Sequence, residues 1–130
     1  MQIILDTNFI ITALKQKAQL FEQIEELFPS CKILIPFQVI EELEKISKSK
    51  DAKLTDRESA KLALQLIKKK TVQNIELTSK NVDAGIIHYT QEKKDLVIAT
   101  LDRELKEKIK RKNPKVRFLT IKEKKRISLN

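Results

Sequence analysis

The sequence predicts a single α/β domain built on a mainly parallel sheet of about five strands, and two observations carry that expectation. Short apolar, β-branched runs alternate along the chain with segments whose apolar residues recur at helical spacing. This is the pattern of parallel strands joined by right-handed helical crossovers. The chain has 130 residues, enough to bury a core of its own and too few for two independent domains, so one domain spanning 1–130 is expected. No internal repeat, linker or low-complexity segment interrupts the alternation.

Gln2 to Leu5 is a short apolar run ending at an acid and reads as a buried strand, followed by helical stretches at Thr7 to Lys17 and Gln19 to Phe28. Pro29 stops the second. Lys32 to Ile35 forms the next strand, closed by Pro36, and Gln38 to Ser47 follows with Val39, Ile40, Leu43 and Ile46 on one helical stripe. Ser47 to Leu54 is a Lys-rich loop. Thr55 and Glu58 then suit a capping box at the head of a helix carrying Ala60, Leu62, Ala63, Leu66 and Ile67, with Lys68 to Lys70 at its C-terminal end. Val72 to Leu77 is a third strand, Val82 to Glu92 a helix, Leu96 to Thr100 a fourth strand and Arg103 to Arg111 a helix. Val116 to Ile121 completes the sheet as an edge strand.

Hydrophobic residues make up 41% of the chain and charged residues 35%, a balance that excludes a disordered chain. The apolar runs, such as Phe9 to Thr12 with its neighbours, fall far short of the roughly 20 residues a bilayer crossing needs. No basic leader with an apolar stretch precedes Asp6, so a cytoplasmic protein without a membrane partner is expected. Cys31 is the single cysteine. It can form neither an internal disulfide nor a zinc knuckle and reads as a buried thiol. The net charge of +9 is concentrated in Lys106 to Arg126, where 11 Lys or Arg face 2 Glu, while the remaining 16 basic and 16 acidic residues balance. Such an asymmetry attracts a polyanion, nucleic acid first.

In open α/β sheets ligands bind beyond the carboxyl ends of the strands. Asp6 follows the first strand, Asp102 the fourth, Glu42 lies just inside the helix after the second, and Asp83 opens the helix after the third. Four neighbouring carboxylates raise one another's pKa, and a hard divalent cation removes that penalty. An oxygen-only donor set without Cys or His points to Mg²⁺ or Mn²⁺ over Zn²⁺. An ion of this kind suits phosphodiester hydrolysis, which then needs no protein nucleophile. Asn8 and Thr100 are placed to orient ligands or water, and Arg103, Lys106, Lys108, Lys110, Arg111 and Lys112 to hold phosphates.

Leu5-Asp6-Thr7-Asn8, Glu42-Leu43, Asp83-Ala84 and Thr100-Leu101-Asp102 resemble, in order, the successive acidic motifs of PIN-domain nucleases. Ile98 to Leu105 is similar to the stretch shared by small archaeal PIN proteins, toxin ribonucleases and ribosomal-RNA-processing PIN nucleases. The resemblance covers essentially the whole chain. It implies a three-layer α/β/α arrangement with a five-stranded parallel sheet, and the four carboxylates as catalytic metal ligands. The substrate it implies is single-stranded or structured RNA, cut to leave a 5′ phosphate and a 3′ hydroxyl. An antitoxin, a ribosomal component or a second copy of the chain are the partners it admits. Gly85 departs from the family, which puts a bulkier residue there, so a loose start to that helix is expected.

Plainer roles compete at each position. Asp6 and Asp102 suit helix caps, and Asp83 a favourable charge at a helix N-terminus. Glu42 has Glu41 beside it; Glu42 borders the buried stripe, whereas Glu41 lies on the polar face within reach of Lys45. His88 reads as a surface residue, and Asp51, Asp56 and Asp95 as loop and cap residues. A non-catalytic, basic RNA-binding domain of the same fold is the principal rival. An aspartate-nucleophile phosphatase would want an acid at position 8, where Asn8 stands, and a receiver domain would want paired acids after the first strand.

Overall fold

The computed structural model describes residues 1–91 and 93–130, the side chain of Lys124 excepted. Among them one six-stranded sheet runs in the order β3-β2-β1-β4-β5-β6. The strands are β1 (Gln2–Leu5), β2 (Lys32–Pro36), β3 (Gln73–Ile75), β4 (Leu96–Ala99), β5 (Arg117–Lys122) and β6 (Arg126–Leu129). The helices are α1 (Thr7–Lys15), α2 (Leu20–Leu27), α3 (Phe37–Lys48), α4 (Leu54–Lys69), α5 (Val82–Thr90) and α6 (Arg103–Lys112). All pairings are parallel except that of β5 with β6. The chain leaves β1 toward β2 and β3 on one side and returns through β4 and β5 on the other. The order therefore reverses between β1 and β4, the place where such sheets open a crevice at their carboxyl ends.

Strand residues alternate between two apolar layers, as the two-residue period of a strand requires. Ile3, Leu5, Ile33, Ile35, Val97 and Ala99 pack with Phe9, Phe21, Val39, Leu43, Ala60 and Ala63 from α1 to α4. Ile4, Leu34, Leu96 and Ile98 face Ile86, Leu105 and Ile109 from α5 and α6. Four helices on one face and two on the other give the expected three layers, and the central strands, covered twice, are apolar almost throughout.

Several details differ from the sequence expectation. A sixth strand, β6, covers β5, which is therefore not the edge. The Arg126–Leu129 stretch, only four residues directly after the charged run Lys122 to Lys125, is too short to announce itself. It is held by Gln23 of α2, whose amide nitrogen donates to the Lys125 carbonyl and whose oxygen accepts from the Ile127 amide, both at 2.8 Å. The Thr55–Glu58 capping box does not form, because the helix begins at Leu54 with Lys53 at its cap and places Thr55 inside the first turn. α1 stops at Lys15, where Ala18 N–H bonds the Ala13 carbonyl and Lys17 N–H that of Leu14, with Lys17 in the left-handed region at φ 61°. This is a Schellman closure built on lysine in place of glycine. β3 is shorter than expected, and Cys31 is half-buried. The expected C-terminal residue of the fifth helix, Glu92, lies outside the described residues.

The one glycine in the chain serves packing. Gly85 is buried in α5, and a Cβ added there would meet the Leu77 Cβ at 2.7 Å. The helix start is thus tight, not loose, and Asn81 caps it by accepting from the Ala84 amide at 2.9 Å. Alanine in an exposed helix would gain about 1 kcal/mol over glycine. At this contact, overpacking costs roughly 1–3 kcal/mol and decides the sign. Gly85→Ala is therefore expected to lower the urea unfolding midpoint; a raised midpoint would mean that Leu77 moves aside freely.

Candidate active site

The crevice between the carboxyl ends of β1 and β4 is organised around Asp6, the first residue beyond β1. It caps α1, with Oδ1 accepting from the Thr7 amide at 2.8 Å and Oδ2 accepting from the Thr100 hydroxyl at 2.9 Å. Asp6 is only 7% exposed. Burial raises its pKa, the two hydrogen bonds oppose the rise, and Asp83 and Asp102 add to it. Thr100, fully buried just past β4, also accepts from the Asp102 amide at 3.2 Å, so one hydroxyl ties the ends of both central strands. Asp102 caps α6 by accepting from Leu105 N–H at 3.2 Å.

Glu42 projects from the second turn of α3 and is half-buried, whereas Glu41 is exposed, as the stripe position of each predicts. Burial raises the Glu42 pKa, followed by the charges of Asp6 and Asp83; Thr7 and Lys45 act against the rise. Although Thr7 lies close enough to influence Glu42, its buried hydroxyl reaches hydrogen-bond geometry with no described partner. Asp83, at the rim in the first turn of α5, is raised by partial burial and then by Asp102 and Glu104, with Lys108 opposing.

The four predicted acids thus share one negative field: Glu42 senses Asp6 and Asp83, Asp6 senses Asp83 and Asp102, and Asp83 senses Asp102. They do not form a closed ligand set. Among the described residues no three acidic, histidine or cysteine side chains stand close enough to hold one ion. Asp6 and Asp102 each also bond an amide of the helix they cap. The donor chemistry nevertheless fits a hard divalent cation, since every candidate donor is oxygen, the acids are partly desolvated and Thr7 presents a buried unpartnered hydroxyl among them.

Sequence reasoning missed Thr7 and Glu104. Glu104 was legible as a first-turn acid two residues after Asp102; the burial of Thr7 was not legible. Asn8 is exposed in the first turn of α1, and His88 is exposed on α5. The basic residues of α6 divide between two flanks. Lys108 lies on the side of Asp83, while Arg103, Lys106 and Lys110 share the other, where burial and then Lys110 and Arg103 lower the Lys106 pKa. Lys110 sits over the Phe118 ring at 5.6 Å. Arg111 and Lys112 are exposed.

Fold and crevice together define a three-layer α/β domain with an acidic site at the switch point of its sheet. The family described as PIN like domain matches residues 3–124, and the chain belongs to it. It is 35% identical over 113 residues to ribonuclease VapC4 of Methanocaldococcus jannaschii, a match covering 86% of this chain and 85% of that protein. A solved structure of the PIN domain endonuclease Utp24 superposes with a TM-score of 0.79 at 29% identity, covering 99% of this chain and 90% of that one. VapBC2 from Rickettsia felis, bound to a DNA fragment from its promoter, has a TM-score of 0.50 at 15% identity over 82% of this chain and 92% of that one, a likeness of fold.

Because the folded chain holds the Glu42 pKa above the usual 4.5, ionising this residue works against folding. Its contribution is fully present below the ordinary glutamate range and is lost as pH rises through the raised value. In EDTA, Glu42→Gln should raise the urea midpoint at pH 7 and leave it unchanged well below the ordinary range. A pH-independent difference would show that charge is not its cause.

Proposed function

We propose that the protein is a divalent-metal-dependent endoribonuclease that hydrolyses RNA phosphodiesters at the β1/β4 crevice, leaving a 5′ phosphate and a 3′ hydroxyl. The observation that carries this reading is the mutual field of Asp6, Glu42, Asp83 and Asp102 at the switch point of the sheet. The naming of the VapC4 relative as a ribonuclease and of Utp24 as an endonuclease supports it. The four carboxylates would hold Mg²⁺ or Mn²⁺. When bound, such an ion supplies a hydroxide-generating Lewis acid that neutralises charge on the phosphoryl oxygens. Thr100 keeps Asp6 and Asp102 in register, and the Thr7 hydroxyl beside Glu42, with Asn8 at the rim, offers a polar group to an attacking water. Lys108, next to Asp83, and the Arg103, Lys106 and Lys110 flank bind phosphates on either side of α6, with Arg111 and Lys112 extending the positive surface. Control by an antitoxin-type protein partner belongs to the same reading, on the strength of the VapC-type relative.

The helix-capping duties of Asp6 and Asp102, with no three acids among the described residues close enough to share one ion, favour a second reading, a basic RNA-binding domain without catalysis. RNA incubated with Mg²⁺ or Mn²⁺ separates the two. Cleavage is expected to require the ion, to stop in EDTA, and to fall by about two orders of magnitude in Asp6→Asn, which keeps a competent helix cap. Glu42→Gln should match that loss while Glu41→Gln stays near wild type. Activity undiminished by EDTA defeats the metal mechanism, and binding without cleavage under all conditions selects the second reading.

Neutralising Arg103, Lys106 and Lys110 together should weaken RNA binding and flatten its salt dependence, by up to about one logarithmic unit of slope for each phosphate that is no longer neutralised. An unchanged salt slope would make this flank a solvated surface only.

A further inference from the structure

Gln38 lies in the first turn of α3, half-buried and one helical turn before Glu42, so both side chains occupy one face of the helix. Its carboxamide makes three hydrogen bonds to a distant piece of backbone. The nitrogen donates to the carbonyls of Leu77 at 3.1 Å and Ser79 at 3.4 Å, and the oxygen accepts from the Leu77 amide at 3.4 Å. That backbone belongs to the connection between β3, which ends at Ile75, and α5, which begins at Val82. Beyond the end of the ladder, Leu77 needs partners for its buried polar groups, and the side chain of Gln38 supplies them.

The connection carries the constraint onward. The Asn81 amide donates to the Ser79 hydroxyl at 3.2 Å, Asn81 in turn caps α5 through the Ala84 amide at 2.9 Å, and Asp83 lies between those two residues. From the other side Leu77 presses on Gly85, where no Cβ has room. The start of α5 is thus fixed against the start of α3 by a polar clamp and an apolar contact that meet at one residue. A carboxamide is the side chain this clamp needs, since it must donate and accept at once. A carboxylate there would keep only the bond from the Leu77 amide and would add charge beside the acids.

We propose that Gln38 is a positioning residue that sets Asp83 on α5 against Glu42 on α3, through its clamp on the Leu77–Ser79 backbone. Its consequence for metal affinity rests on the proposed nuclease reading; its consequence for the placement of α5 does not. A natural control exists at the far end of the same helix. There the Asn113 side chain donates to the carbonyls of Thr90 at 2.8 Å and Lys93 at 2.9 Å, away from the crevice.

The test compares Gln38→Met, Gln38→Glu and Asn113→Ala in the full chain. Two quantities are measured: backbone residual dipolar couplings of α5 in metal-free protein, and Mn²⁺ affinity by electron paramagnetic resonance. In either Gln38 variant the couplings of Val82 to Thr90 should depart from the orientation they have relative to β1 and β4 in wild type. Mn²⁺ affinity should fall about tenfold or more in Gln38→Met, the size of effect that removing a ligand-orienting hydrogen bond produces, while in Gln38→Glu the added negative charge attracts the cation and the α5 couplings decide. Asn113→Ala should lower the unfolding midpoint and leave Mn²⁺ affinity within about twofold of wild type. Unchanged α5 couplings in a folded Gln38 variant overturn the proposal, as does an equal loss of Mn²⁺ affinity in Asn113→Ala. If one Gln38 variant fails to fold, the other decides. Should wild type neither bind Mn²⁺ nor cut RNA, the nuclease reading fails while the couplings still decide the role of Gln38.

Discussion

The Thr100 hydroxyl is the group on which the crevice depends. Its one proton goes to Asp6, and its oxygen takes the Asp102 amide. A fully buried hydroxyl with both capacities used is a strong local constraint, because either half left unmade would strand a polar group away from water. β1 and β4 pair in register from Gln2 with Leu96 to Leu5 with Ala99. Thr100 then extends that register by one side-chain bridge, just where the ladder ends and the acids begin. The two helices that leave the crevice, α1 and α6, are each capped by an acid of this bridge, so strand pairing, helix capping and the acidic site share one set of atoms.

Concentrating acids at one sheet edge is unfavourable in itself, and the fold offsets part of the cost. Asp6, Asp83, Asp102 and Glu104 all stand at the N-terminal ends of α1, α5 or α6, where the helix dipole favours negative charge. Lys45 opposes the rise of Glu42, and Lys108 that of Asp83. The compensation is incomplete, since Asp6, Glu42 and Asp83 all stay raised, chiefly by burial. A residual negative potential over a strand-end crevice, flanked by the cationic face of α6, is an electrostatic arrangement suited to a cation and a polyanion together.

Three carboxamide side chains perform the same task in different places. Gln23 holds the turn into β6, Gln38 the approach to α5, and Asn113 the exit from α5. Each both donates to and accepts from backbone at the ends of elements or in the connections between them, Asn113 taking the Lys115 amide at 3.2 Å. Left-handed turns, meanwhile, are taken by Lys17, Ser30, Asp95 and Lys125. The single glycine is reserved for close packing on Leu77. Irregular segments in this chain are therefore stabilised by side-chain amides in place of glycine-rich turns, and these ties connect elements far apart in sequence.

Local sequence was enough to set the layers and most of the elements. Runs such as Ile3-Ile4-Leu5 and Leu96-Val97-Ile98 are apolar on both faces because both faces are covered, and that follows from composition within the run. Asp6 directly after its run and Asp102 three residues after β4 had to fall at the carboxyl edge, and the stripe of Val39, Leu43 and Ile46 already distinguished Glu42 from Glu41. The remaining features arise only in the folded chain. β6 exists because β5 and Gln23 offer it partners, Thr7 is buried beside Glu42 at the end of the sheet, and Gln38 reaches Leu77 across 39 positions of sequence. Local pattern encodes what a residue gains from its own helix or strand, whereas these features depend on hydrogen-bond and packing partners that folding alone brings within reach.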